Sequence, residues 1–96
     1  MNRQQILDFL RARGDEISSQ FRARVEGIFG SVARGDDRPE SDVDVLVRFD
    51  DQASLFDLVG LADFLEENFH RKVDVVSTRA LREEIRPGVE RDIVRV

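Results

Sequence analysis

The sequence predicts an α/β (α+β) fold: a small mixed β-sheet with helices packed mainly on one face. Three observations predict it. Two stretches, residues 2–13 and 54–69, carry apolar residues at helical spacing. Three others, residues 24–29, 42–49 and 72–76, read as strands, which gives the order α, β, β, α, β, α. The loop between the first two strands is too short for a helical crossover, so they should pair antiparallel. A mixed sheet with its helices largely on one side follows.

In the first helix Ile6, Leu7 and Leu10 share one face, with Asn2 as N-cap, Gln5 as its capping-box partner and Gly14 as a C-terminal stop. Residues 15–21 allow a second helical turn. In the strand at 24–29, Val25 and Phe29 should fall on one face with Gly27 between them. Residues 30–35 form a turn in which Ser31 opens a short helix. Residues 36–40 form a polar loop containing Pro39, which a central strand would not tolerate. At 42–49, Val43, Val45 and Val47 alternate with Asp42, Asp44 and Leu46. Ser54 then caps a helix running to Phe69, its stripe being Leu55, Leu58, Val59, Ala62, Leu65 and Phe69. Asp57 lies in its favourable first turn. Phe56, Leu61 and Phe64 lie off that stripe, as secondary core or as part of a partner surface. A third strand follows at 72–76. The tail from Thr78 reads as helical turns broken by Pro87 and Gly88, ending in a short strand at 93–96.

The 96 residues, without repeat, linker or low-complexity stretch, are expected to form one domain, 1–96. A domain of this size buries about 60–65% of the surface of its unfolded chain, so the core should be modest. The net charge of -5 argues against a broad nucleic-acid footprint, so direct nucleic-acid binding is not expected. Small anionic ligands remain possible, since bound divalent cations invert the local sign. With no cysteine, disulfides, thiolate metal sites and a cysteine nucleophile are excluded. No apolar run is long enough to cross a membrane, and the N-terminus lacks the apolar core of a secretory signal. A cytoplasmic location is expected.

Asp42 and Asp44 lie two residues apart on a strand, so both carboxylates point the same way, about 6.5–7 Å apart at Cα. Such a pair suits Mg²⁺, which is typically held by one or two carboxylates together with substrate phosphates. Without a cation, the two charges would raise one pKa. The plainer reading is a solvated strand face. Upstream, Gly30 ends a strand and Ser31 opens a turn whose N–H groups and hydroxyl can meet a phosphate. The plainer reading there is a strand-ending turn with Ser31 as a cap. Asp74, between Val73 and Val75, faces away from the core on the side assigned to Asp42 and Asp44. It too could be an ordinary exposed strand residue. His70 is a polar residue at a helix end, and Asp36, Asp37 and Glu40 are solvated loop charges.

The pieces gain meaning in combination. Gly30-Ser31-Val32-Ala33-Arg34-Gly35 followed by Ser41-Asp42-Val43-Asp44-Val45-Leu46-Val47 resembles the signature of the DNA polymerase β-like nucleotidyltransferase superfamily, in particular its minimal (MNT) branch. Lys72-Val73-Asp74-Val75-Val76 resembles that branch's third carboxylate motif. The resemblance covers most of the chain and implies a polymerase β-like palm core. It further implies that Gly30 and Ser31, with Arg34 and Ser41, bind the nucleotide. Asp42, Asp44 and Asp74 would be the catalytic and metal-binding acids, holding two Mg²⁺ ions, with Asp74 completing a metal site or acting as general base. In-line attack at the α-phosphate would transfer a nucleoside monophosphate and release pyrophosphate. Arg34 stands open between a place near the phosphates and an ion pair with Asp36 or Asp37.

Larger members of the superfamily carry extra domains that grip the acceptor, so here the acceptor is expected from a partner. The MNT branch resembles the antitoxin half of HEPN/MNT toxin–antitoxin modules. That resemblance implies adenylylation, from ATP, of a tyrosine hydroxyl on a HEPN ribonuclease toxin. A non-catalytic antitoxin acting by contact, and a transferase with a small-molecule or RNA-end acceptor, are the alternatives. The intact set of acids argues against the former and the acidic charge against an RNA acceptor.

Overall fold

A computed structural model describes all 96 residues. The elements are α1 (Arg3–Ala12), α2 (Gly14–Phe21), β1 (Ala23–Phe29), α3 (Gly30–Arg34), β2 (Val43–Phe49), α4 (Leu55–Phe69), β3 (Val73–Ser77), a 3₁₀ turn (Thr78–Ala80), α5 (Arg86–Asp92) and β4 (Val94–Arg95). The sheet order is β3-β2-β1-β4, with β1 antiparallel to both β2 and β4 and β2 parallel to β3. The expected mixed sheet is therefore present. Its single parallel pair is the one joined through α4, as a crossover requires.

The principal core lies between one face of the sheet and helices α1, α2 and α4. Val43, Val45 and Val47 are fully buried there with Ile28, against Ile6, Leu10, Ile17, Leu61 and Leu65. On the opposite face a smaller cluster joins Leu46 to Leu81 and Val89, with Phe29, Val76 and Ile93 packed against it. The C-terminal segment thus covers part of the face that the main helices leave open.

Local chemistry explains most boundaries. Asn2 and Gln5 exchange side-chain contacts with each other's backbone N–H, both at 2.9 Å, forming the expected capping box. Asp57 accepts from the Ser54 N–H at 2.9 Å and so fixes the start of α4. His70 ends that helix in the left-handed region, at φ 55°.

Four expectations are corrected. Gly14 does not stop the first helix: Arg13 is the C-cap, and Gly14 begins α2 directly. Val25 and Phe29 do not share a face. The β1–β2 register shifts between Val25 and Gly27, leaving Glu26 as an extra, bulged residue. The bulge reverses the alternation, so Val25 packs on the principal core while Phe29 joins the smaller cluster. In α4 the buried residues are Leu61, Leu65 and Phe69, whereas Leu55 and Val59 are exposed. The helix is rotated toward α1 and α2 because Phe64 meets Phe9 and Phe21, at ring-centroid distances of 6.0 and 5.5 Å. Finally, Pro87 and Gly88 do not break the tail helix. They lie in the first turn of α5, where a missing N–H costs no intrahelical bond.

Candidate active site

The site is assembled at the N-terminal end of β2, on the face opposite the principal core. Asp44 is in β2; Asp42 stands one residue ahead of the strand. In the parallel pairing Asp44 is the register partner of Asp74, so the two carboxylates project from the same face on adjacent strands. On its other side Asp44 is paired with Phe29 of β1. Gly30 follows directly and opens α3, whose first turn has no side-chain cap.

Gly30 is required here for two reasons. Its φ is +73°, and a Cβ at that position would lie 2.2 Å from the Asp44 Oδ2. The backbone of the Gly30–Ser31 turn is thus pressed against the Asp44 carboxylate. The bulge at Glu26 makes this possible, because without it the end of β1 would present the opposite face to Asp44.

The electrostatics are those of a site short of positive charge. The Asp44 carboxyl is pushed up from 3.8 to about 6, first by desolvation and then by the charges of Asp74 and Asp42, with Arg34 partly opposing the rise. Arg34 donates to Asp36 at 3.1 Å and to Asp92 at 3.0 Å. Both pairs hold its pKa above the ordinary value, mainly through the hydrogen bond to Asp36. The ion pair with Asp36 is therefore formed, yet the guanidinium is also close enough to act on Asp44. The Ser41 hydroxyl accepts from the Arg38 N–H at 2.9 Å, closing the turn before Asp42 and leaving its own proton free to donate.

These residues fit a divalent cation by charge and by donor type. No three acidic or histidine side chains converge into a ready-made cage. Such an arrangement matches a cation held by one or two carboxylates, with phosphate oxygens completing its shell. Beside Gly30, an open groove of about 470 Å³ runs between α3 and α5, lined by Phe29, Arg34, Ile85, Val89 and Arg91 among others. A second cleft, of about 430 Å³, lies at the far end of β2 and contains Arg22, Arg24, Arg48 and Arg79. Arg22, Arg48 and Arg79 are tied to Asp57, Glu26 and Asp51, and Arg24 has no ion-pair partner.

The sequence places Gly30, Ser31, Arg34, Ser41, Asp42, Asp44 and Asp74 in the site, and the structure gathers them around the ends of β1, β2 and β3. Two residues escape a sequence reading. Asp92 of α5 holds Arg34 from 58 positions away, and Arg71 holds the loop before Asp42. Neither has a local signal, since each stands among other charged residues and its partner is brought in by the fold.

A mixed sheet that sets a glycine turn against in-register carboxylates has the fold of a nucleotidyltransferase domain. The chain belongs to the nucleotidyltransferase domain family, whose model matches residues 5–95. It is similar to the protein adenylyltransferase MntA of Thermococcus cleftensis, with 36% identity over 93 residues covering 97% of this chain and 94% of that protein. Among solved structures, it superposes on one assigned as a minimal nucleotidyltransferase with a TM-score of 0.76 and 35% identity, over 100% of this chain and 97% of the other. It also shares its fold with a toxin–antitoxin crystallised with AMP-PNP, at a TM-score of 0.71 and 22% identity, covering 99% of this chain and 72% of that one. No helix is long and apolar enough to cross a membrane.

Proposed function

We propose that this nucleotidyltransferase is a Mg²⁺-dependent adenylyltransferase that moves AMP from ATP to a protein hydroxyl, a tyrosine of a HEPN-type toxin, and so acts as its antitoxin. The observation that carries the chemistry is the Asp44–Asp74 register pair with Gly30 pressed against it. The choice of a protein acceptor draws support from the full-length likeness to a protein adenylyltransferase. A cytoplasmic setting, with ATP and Mg²⁺ at hand, is part of the same reading.

In this mechanism the N–H groups of Gly30 and Ser31 and the Ser31 hydroxyl bind the β- and γ-phosphates. Arg34 adds positive charge at the edge of the site, and Ser41 donates its free hydroxyl proton to the nucleotide. Asp42 and Asp44 would hold two Mg²⁺ ions, with Asp74 as a further ligand or as the base that accepts the proton of the attacking hydroxyl. When bound, the ions supply charge neutralisation at the triphosphate and a more acidic acceptor hydroxyl. The groove between α3 and α5 has a volume in the range that accepts a nucleoside. The hydroxyl oxygen attacks the α-phosphorus in line, and the bond to pyrophosphate breaks.

The test is incubation with labelled ATP, Mg²⁺ and the product of the adjacent gene. Label should appear on that protein, and Asp42→Ala or Asp44→Ala should reduce transfer by about 10²–10³-fold or more, the scale seen when a transition-state charge loses its stabiliser. Tight binding without transfer would replace this reading with inhibition by contact. Label found only on small molecules would point to a small-molecule acceptor.

A further inference from the structure

Asp42 lies outside the β2 ladder, so its position depends on the loop that precedes it. That loop is exposed at Arg38, Pro39 and Glu40, and little of its own structure would hold it. Within it, the Ser41 N–H donates to the Arg38 carbonyl at 2.9 Å, which closes a turn but does not fasten the turn to anything.

The fastening comes from the other side of β2. Arg71 sits in the short connection between α4 and β3. One terminal nitrogen of its guanidinium, Nη2, donates to the Ser41 carbonyl at 2.8 Å, the Arg38 carbonyl at 3.2 Å and the Asp37 carboxylate at 3.2 Å. The side chain is only 13% exposed. A charge-assisted contact shielded in this way is stronger than the same contact in open water. The next residue adds a backbone bond, since the Val43 N–H donates to the Lys72 carbonyl at 2.9 Å. Arg71 therefore ties the loop carrying one acid, Asp42, to the strand carrying another, Asp74.

We infer that Arg71 is a positioning residue for the acid cluster, clamping the 37–41 loop so that Asp42 is held in place beside Asp44 and Asp74. The inference rests on the nucleotidyl-transfer reading above. Arg71 touches neither nucleotide nor acceptor in this role. It acts through the Ser41 carbonyl, immediately ahead of Asp42. The Asp37 carboxylate balances its charge, so the clamp leaves no unpaired cation near the phosphates.

The experiment compares the wild-type chain with Arg71→Met, which keeps much of the apolar stem but removes the donors, and with Arg71→Lys, whose ammonium restores a cation and three donors. Amide hydrogen exchange is read by NMR, and Mn²⁺ affinity by electron paramagnetic resonance in the presence of a non-hydrolysable ATP analogue, whose phosphates complete the cation's shell. In Arg71→Met, exchange should accelerate across residues 37–42 while the β2 and β3 amides keep their protection. Mn²⁺ affinity should fall about 10–100-fold, as when residues that orient metal ligands are removed, and Arg71→Lys should recover part of both effects. Unchanged Mn²⁺ affinity in Arg71→Met, beside a wild type that binds, overturns the positioning role alone. Faster exchange throughout the chain also overturns it, because Arg71 would then serve general stability. A wild-type chain that binds no Mn²⁺ even with the nucleotide analogue present overturns the nucleotidyl-transfer reading, and this proposal with it.

Discussion

The two faces of β2 are built from alternate residues of the same strand and follow opposite rules. On one, Val43, Val45 and Val47 are each at 0% exposure beneath the helices. On the other, Asp44 stands between Phe29 and Asp74, with the Gly30 backbone against its carboxylate. The first face stabilises the fold by removing apolar surface from water. The second does the reverse, because it brings like charges together and partly desolvates one of them. A strand can carry both because its neighbouring side chains point to opposite sides, and the valine face, with the Leu46 cluster farther along the opposite face, supplies the stability that the Asp44 end lacks. The acidic face costs the fold stability, and its proposed role in holding a cation and a phosphate would account for that cost.

The largest structural effect should come from the core face. Leu65→Ala removes a fully buried side chain from the centre of α4 and should lower stability by about 2–5 kcal/mol, measured by urea denaturation. Molecules that remain folded should retain their transfer activity. A loss of activity greater than the loss of folded protein would show that the two faces are not independent.

Gly30→Ala tests the boundary between them. The left-handed backbone should cost about 1–3 kcal/mol, since the position disfavours any Cβ. The clash with Asp44 is relieved by turning the carboxylate, which is cheap for stability but moves a proposed ligand. Transfer should therefore fall much further than the denaturation midpoint, and a proportionate loss of the two would contradict the proposed contact.

A smaller effect, opposite in sign, is expected at Asp44. Its folded-state pKa of about 6 lies above the unfolded value of 3.8, so the native state holds this proton more tightly. The group then favours folding most at low pH, and the stability of the metal-free protein should fall as pH rises from about 4 to 6. Asp44→Asn should flatten that slope and raise the metal-free melting temperature at pH 7, even as it abolishes transfer. Mg²⁺ with ATP should restore stability to the wild type at pH 7 and do less for the variant. Thermal melts across pH would check both statements.

The smallest effect is predicted at Phe56, which is 88% exposed despite its size. Phe56→Ser should change stability by no more than about 0.5 kcal/mol, a contrast with Leu65 on the same helix that a pair of denaturation curves would show. A larger loss would mean that the outer face of α4 packs against something in solution.

Much of this comparison is legible in the residues. Period-two alternation over Val43 to Val47 separates the faces of β2, and the acids at 42, 44 and 74 stand out because carboxylates are unfavourable in a β-branched run. The capping boxes at Asn2 and Ser54 are equally local, which is why the starts of α1 and α4 follow from them. Less legible are the elements whose geometry depends on distant partners. Nothing near Glu26 announces a bulge, since the register is set against β2, and without the bulge Phe29 would be assigned to the wrong face. The apolar residues of α4 are too numerous to choose a single stripe. Phe9 and Phe21 make that choice by drawing Phe64 inward and leaving Leu55 and Val59 exposed.

The sequence by itself determined most of the elements, the alternation of β2 and the presence of the glycine, serines and acids from which a phosphate and metal site is proposed, because each follows from short-range spacing and side-chain chemistry. Tertiary structure alone decided that Asp44 and Asp74 stand in register, that Gly30 touches Asp44, and that Arg71 fastens the loop before Asp42. Those relations join residues about 14 to 30 positions apart, and only strand pairing and helix packing bring such distant residues together.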